Sequence, residues 1–423
     1  MNHQGRHYLF LQGLATPFFG RLGVHLREKG AGVSRINFCP GDEHYWPLPG
    51  AKTFRGPRGE FDEFFSAALQ DEAATDLVLF GENRPLHQAA ISLARRQGVR
   101  VHVFEEGYIR PDLITLERDG VNGHSQLPKN PDWYLEARHH LPHAPEIRHT
   151  PTPLWRRATQ DAAFHLANLT APLRYPYYRT HRPRSPLSEY AGWAKRFSAF
   201  PLRRALEEGQ LRALLGGSHP LFFLPLQLSG DSQLIKHSPF DNVASVIRKV
   251  VRSFAASATP EAELLIKNHP LDTGHEHHAR TARRAGVEFG IAKRVHFFES
   301  GNLPLIFKRV EGTVVVNSTV GLVALNYDCP LFALADAIYR MPGLVHQGSL
   351  EEFWRHPQRP DHQLAKAFRE VVVATTQVNG NFFTREGTAL AVRGCDRMLA
   401  KESPLETLKR RVDRAGTKEE TTA

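Results

Sequence analysis

"TDLVLFGENRPLHQAAISLARRQGVRVHVFEEG", Thr75 to Gly107, sets an amphipathic segment between two short apolar runs, and that order decides the fold. "TDLVLFG" and "VRVHVFEEG" read as buried strands, and "PLHQAAISLARRQG" as the helix joining them. Strand, helix, strand is the signature of a parallel sheet covered by helices. The same order starts at Tyr8, where "HYLFLQG" reads as a strand, "PFFGRLGVHLREKG" as an amphipathic helix and "VSRINFC" as a second strand. It returns in the second half through "PLFFLPLQ", "NVASVIRKVVRSFAA", "ELLIKNHP", "HHARTARRAG", "RVHFFE", "LPLIFKR", "GTVVVN" with "STVGLVALNYD", and "CPLFAL". At about 150 residues per domain, 423 residues allow two or three domains, and two α/β domains are the economical expectation.

Residues 136–217 break this pattern with arginine, proline, tyrosine and tryptophan, and fit amphipathic helical pieces interrupted by prolines. Basic residues interleaved with aromatics suit an interfacial segment or, equally, a solvated connector whose aromatics pack on the neighbouring domains. The boundaries that follow are an amino-terminal Rossmann-like domain over 1–135, the connector over 136–217, a second Rossmann-like domain over 218–375 and a terminal helix over 376–400. The charged, apolar-poor tail over 401–423 is expected to be disordered.

Hydrophobic residues at 41% and charged residues at 23% suit a soluble protein, and no run approaches the roughly 20 apolar residues of a membrane span. The amino terminus lacks the pattern of a secretory leader, so a cytosolic address is expected. Cys39, Cys329 and Cys395 are scattered without the spacing of a disulfide framework or structural zinc site. The net charge of +10 favours anionic partners: nucleic acid, an acidic membrane surface or phosphorylated small molecules. "HEHH" at His275–His278 invites a metal reading, but consecutive residues rarely converge on one ion.

Ligands of open α/β sheets bind beyond the carboxyl ends of the strands. "LLIKNHP" leaves a strand through Lys267 and His269, a point charge and an imidazole that suit a phosphate, although His-Pro also makes structural turns. "TVVVNSTVGLVAL" leaves another through Asn317, Ser318 and Thr319, either an anion cradle or plain capping by Ser318. The expectation is that these residues share one cleft and hold a nucleotide phosphate. "LPLQLSGDSQL" puts Gln227 and Asp231 on a third strand end, where the carboxylate could be a nucleophile, base, metal ligand or simple turn former. "VHVFEEGYIRPDLITLE" ends a strand in Glu105 and Glu106 beside Arg110, paired acids that suit a general acid or a surface ion pair.

Taken in order, "FLQGLATPFFGRLG", "FEEGYIRP", "QLSGDSQ", "KNHP", "NSTVGLVAL" and "YRMPGLVHQGSLEEFW" resemble the bacterial capsule polysaccharide biosynthesis and export family of KpsS and KpsC, from about Tyr8 to about Leu399. The single set of motifs is similar to the KpsS type. The resemblance implies a GT-B-like pair of Rossmann-like domains with a helical basic connector. It also implies retaining transfer of β-Kdo from CMP-Kdo to a phosphatidylglycerol-type lipid, starting a capsule linker. By the same resemblance, Lys267 and His269 with Ser318 and Thr319 match the nucleotide motifs, with Asn317 and Gln227 beside them. Asp231 matches the nucleophile of a QxxxD pattern, and Glu105 or Glu106 deprotonates the acceptor. The family's "EDG" is "EEG" here, which leaves that choice open. Arg110 is assigned to the sugar carboxylate or acceptor from its charge. No cofactor and no metal are expected. The implied partners are a CMP-sugar donor, an anionic lipid acceptor, the cytoplasmic face of a Gram-negative inner membrane, and other capsule assembly proteins, with no nucleic acid. The competing readings are a non-catalytic export component binding acidic glycan and a GT-B transferase using another nucleotide sugar.

Overall fold

The computed structural model describes residues 3–142, 146–180, 186–230, 234 and 238–422. The chain forms two compact units. The first comprises Met1–Pro128, Glu136–His181 and Arg369–Ala423, and the second Lys129–Leu135 and Arg182–Phe368.

The first unit is built on a seven-stranded sheet in the order β12-β6-β5-β4-β1-β2-β3. Its strands are β1 (His7–Phe10), β2 (Gly32–Asn37), β3 (Ala51–Thr53), β4 (Asp76–Phe80), β5 (Arg100–Glu106), β6 (Leu113–Arg118) and β12 (Gln377–Asn379). Strands β1 to β5 pair in parallel, β6 runs antiparallel to β5, and β12 antiparallel to β6. Side chains alternate across the pleat, so neighbours in one strand feed different cores. Tyr8, Phe10, Val78, Phe80 and Phe104 pack with Phe18, Leu22, Ala391 and Cys395 of the helices Phe18–Glu28 and Arg385–Met398. Leu9, Leu77, Leu79, Val101 and Val103 pack with Phe61, Phe65, Ala90 and Ile91 of the helices Phe61–Asp71 and Pro85–Arg96. A strand buried on both faces needs continuous apolar runs, which is what "YLFL" and "DLVLF" supply.

The second unit carries a fully parallel five-stranded sheet, β11-β10-β7-β8-β9. Its strands are β7 (Leu221–Pro225), β8 (Glu263–Lys267), β9 (Val295–Phe298), β10 (Gly312–Val315) and β11 (Leu331–Ala333). Phe222, Leu224, Leu264, Ile266 and Val314 face the helices Val243–Ser257, His278–Glu288 and Leu350–Arg355. Phe223 points the other way, onto Phe307. Both units are therefore Rossmann-like α/β folds, the kind of pair from which a GT-B enzyme is assembled.

Two expectations need correcting. The helices within residues 136–217 do not form one separate piece. Leu154–Ala167 and Ala171–Arg174 belong to the first unit and the helix Pro186–Gly216 to the second. Composition marked the absence of strands, not which core a helix covers. The tail beyond 401 is not featureless either: Pro404–Thr422 is helical, with Leu405, Leu408 and Val412 buried at three- and four-residue spacing. Glu406 of this helix pairs with Arg118 at 2.6 Å. Three apolar residues on one face were enough to dock a helix that bulk composition made look too polar.

The turn after β5 is rigidly anchored. Gly107 is required there, because a Cβ would sit 2.0 Å from the Leu113 carbonyl oxygen. The Tyr108 N–H donates to Thr115 Oγ1 and Gln377 Oε1, at 3.2 and 3.0 Å, and its hydroxyl donates to Glu117 at 2.6 Å. Burial, aided by the nearby Glu82, lifts the Glu117 carboxyl to about 7, against the pull of hydrogen bonds from Ser125 and Tyr108. The neutral form is the favoured one, so this site supports folding most below pH 4.5 and progressively less as pH rises through 7. Glu117→Gln removes that titration. Its stability relative to the parent is expected to improve by roughly 2–3 kcal/mol between pH 4.5 and pH 8. Denaturant melts at both pH values check this, and a difference that does not change with pH contradicts the assignment.

Candidate functional site

In the second sheet the chain lays β7, β8 and β9 to one side, then returns to add β10 and β11 on the other side of β7. The reversal falls between β7 and β10, the position at which ligands of open α/β sheets ordinarily bind. Gln227, two residues beyond β7, spans it: its amide donates to Asn317 Oδ1 at 3.0 Å and its carbonyl accepts the Asn317 N–H at 3.4 Å. On the other side of β7, the Leu226 N–H donates to the Lys267 carbonyl at 2.9 Å. The carboxyl ends of three adjacent strands thus bring Asn317 and Ser318, Gln227, and Lys267 with His269 onto one edge of one sheet.

Lys267 is only 7% exposed. Among the described residues its ammonium donates to the Asn268 carbonyl at 3.3 Å. Burial, then the charge of Arg196, pull its pKa below the ordinary lysine value, and Glu299 opposes them. An arriving anion would relieve both effects. The Leu271 N–H donates to His269 Nδ1 at 3.1 Å, which puts the proton of the neutral ring on Nε2 and makes that atom a donor. Arg196, from the helix Pro186–Gly216, clamps the loop. It donates to the carbonyls of His269, Pro270 and Asp272 and pairs with Glu299 at 2.8 Å. Glu299 also accepts from Asn268 at 3.0 Å. Residues from one arginine-rich helix therefore fix the backbone that presents Lys267 and His269.

On the β10 side, Ser318 Oγ accepts the Val320 N–H at 3.2 Å and its carbonyl accepts the Tyr339 hydroxyl at 2.6 Å. The Tyr339 ring lies so close to Gly321 that a Cβ there would come within 2.5 Å of it. Ser318 Oγ thus closes a local turn, and Thr319, whose side chain makes no capping bond, stands at the head of the short helix Val320–Leu325. The last histidine of "HEHH", His278, is buried between Ser229 at 3.2 Å and Asp272 at 3.5 Å, tying the β7 loop to the "KNHP" loop. Among the described residues no three His, Cys, Asp or Glu side chains gather closely enough to hold a metal ion. Asp231, the candidate nucleophile, lies outside the described residues.

The first unit repeats the design. Its sheet reverses between β1 and β4. Gln12, again two residues beyond the first strand, accepts from Arg84 at 2.7 Å across the reversal and donates to Asp42 at 3.1 Å. Arg84 also donates to the Gly13 carbonyl at 3.2 Å. The two glutamates at the end of β5 part company, as neighbours on a strand must. Glu106 pairs with Arg157 at 2.9 Å. Glu105 accepts the Glu106 N–H at 3.0 Å, lies beside Gly81, and is within electrostatic reach of Arg84. Arg110 is exposed and donates to the Gly107 carbonyl at 3.0 Å rather than to either glutamate.

Sequence reasoning put Gln227, Lys267, His269, Asn317, Ser318 and Thr319 at strand ends of the second half and Glu105, Glu106 and Arg110 at a strand end of the first; the structure adds that the strands ending in the first group are neighbours in one sheet. It missed Arg196, Glu299 and Tyr339, which hold the loops, and Gln12 and Arg84. The available signal for Gln12 was its place: "LFLQ" and "LPLQ" end the first strand of each unit in the same way.

The solved Thermosulfurimonas dismutans KpsC β-Kdo 2,7 transferase aligns over 97% of this chain and 99% of its own, at 15% identity and a TM-score of 0.43. KpsS, the capsule polysaccharide export protein of Escherichia coli, is 31% identical over 380 residues, 90% of this chain and 97% of that protein. LipB, the capsule polysaccharide modification protein of Neisseria meningitidis serogroup B, is 35% identical over 389 residues, 89% and 91% of the two chains. The family model for capsule polysaccharide biosynthesis proteins matches residues 75–383. The chain belongs to the capsule polysaccharide biosynthesis protein family.

Proposed function

We propose that this chain is a retaining glycosyltransferase that moves β-Kdo from CMP-Kdo to a phosphatidylglycerol-type lipid and so starts a capsule linker. The observation that carries the reading is the buried Lys267, its pKa depressed by burial and by Arg196, on the same strand-end loop as the His269 donor and next to the reversal of the second sheet. In this reading the two groups receive the phosphate of the departing CMP and stabilise the charge that develops on it. Gln227 and Asn317 keep the two strand ends in register. Asp231 attacks the anomeric carbon and releases CMP; the acceptor hydroxyl then displaces the carboxylate. Glu105 takes the hydroxyl proton, while Glu106 pairs with Arg157. The Kdo donor and lipid acceptor come from the motif resemblance and family membership. A second reading, an export component that binds acidic glycan without turnover, is favoured by the description of the E. coli relative.

Mass spectrometry of a short-chain phosphatidylglycerol incubated with enzyme and a CMP-Kdo-generating system separates the two. The expected product is the acceptor plus one Kdo, formed equally after EDTA treatment. Intact acceptor with no CMP released sinks the transferase. Lys267→Met is expected to weaken CMP binding at least about tenfold while leaving a folded chain. CMP, and not UDP, is expected to raise the melting temperature of the parent.

The two glutamates make a sharper test. Glu105→Gln is expected to slow transfer by about 10²–10⁴-fold. Glu106→Gln is expected to cost only several-fold, through a loosened Arg157. The reverse ranking assigns the proton to Glu106.

A further inference from the structure

The segment between Leu154 and Arg174 is not a loose connector, for one side of it is firmly docked on the first unit. Tyr45 donates to the Gln160 carbonyl at 2.8 Å, and Gln160 to the Phe383 carbonyl at 2.9 Å. The Gly41 N–H donates to Asn168 Oδ1 at 2.8 Å, with the Phe164 ring so close over Gly41 that a Cβ would stand 2.4 Å from it. Arg157 reaches Glu106 and Arg174 reaches Glu43, at 2.9 and 2.7 Å.

The other side is apolar and bare. Trp155, Ala158, Ala162, Leu166, Leu169 and Leu173 follow one another at steps of three or four residues, the spacing of one helix face, and all are exposed. Trp155 is 58% exposed, Leu166 69%, Leu169 73% and Leu173 90%. A face so spaced and so apolar ordinarily packs against something.

Its charge says what. From Arg148 to Arg184 the sequence holds seven arginines and a single acidic residue, Asp161. Asp161 is turned inward and pairs with His165 at 3.6 Å. Arg156 is exposed and stacks over Trp155 at 4.4 Å, and Arg174 is half-exposed at the far end. Leucines along one face, a tryptophan at its end and arginines flanking them, with no outward carboxylate, match an anionic lipid surface. The leucines enter the acyl boundary while tryptophan and guanidinium groups stay among the headgroups.

We infer that the Leu154–Arg174 helical segment is a monotopic membrane-docking face specific for anionic lipid. Through Arg157 and Glu106 the same helix is joined to the strand end that bears Glu105. The lipid surface is thereby coupled to the end of the sheet where a lipid acceptor would be deprotonated. That purpose rests on the transferase reading, whereas the docking itself is measured without turnover.

The test is flotation of the full chain with vesicles of equimolar phosphatidylglycerol and phosphatidylcholine, against phosphatidylcholine alone. The parent is expected to float with the anionic vesicles only. Leu169→Glu combined with Leu173→Glu is expected to reduce flotation by about tenfold or more with no change in melting, since both side chains are already in solvent. Leu305→Glu, at an exposed leucine of the second unit, is expected to float like the parent. Docking is overturned if the double variant floats unchanged or if Leu305→Glu loses as much. It is also overturned if the parent sediments as a dimer that the double variant dissociates and neither binds vesicles. Flotation without transfer by the parent to a soluble acceptor would sink the transferase reading alone.

Discussion

Each sheet in this protein changes direction once, and a single side-chain amide spans the change. Gln227 joins β7 to the chain leaving β10, and Gln12 joins β1 to the chain leaving β4. An amide that both donates and accepts holds the two strand ends at a fixed separation. Gln227 fixes Asn317 beside β7, while Arg196 holds the neighbouring loop that carries Lys267 and His269.

The opposite ends of the strands show what a purely structural charge looks like. Asp76, at the start of β4, is fully buried. Against the upward push of burial, hydrogen bonds from His102 and Arg6 hold it well below the usual carboxylate range, with Arg100 adding a further contact at 3.0 Å. That charge is fully matched, as a buried charge must be if it is only to stabilise. Lys267 differs: it is almost as buried, and burial and then the charge of Arg196 pull its pKa down, with only Glu299 opposing them. Such under-compensated charge at a strand end is a mark of function more than of stability.

Much of the architecture was legible because strands buried on both faces must be continuously apolar, and "YLFL", "DLVLF", "LFFL" and "ELLI" have no other reading. The candidate positions were legible for a related reason: a polar cluster directly after such a run lands at a strand end, as Lys267 and Asn317 do. Arg196 was not legible, since among many arginines nothing local distinguishes the one that reaches the carbonyls of a loop seventy-odd residues away. The division between Glu105 and Glu106 was also hidden. It depends on Arg157, which the sequence offers only as one of a basic run. The terminal helix escaped because three spaced apolar residues, Leu405, Leu408 and Val412, are diluted in any window average.

The last strand of the first sheet, β12, arrives after the whole second unit has been threaded through the sequence. During synthesis, β6 is complete at residue 118, but the strand that covers its edge is not made until residue 379. An open apolar edge is a template for wrong pairing. The nascent chain must either keep β6 unformed or find it a temporary cover, and a ribosome stalled in the second half releases a sheet with its edge unsealed.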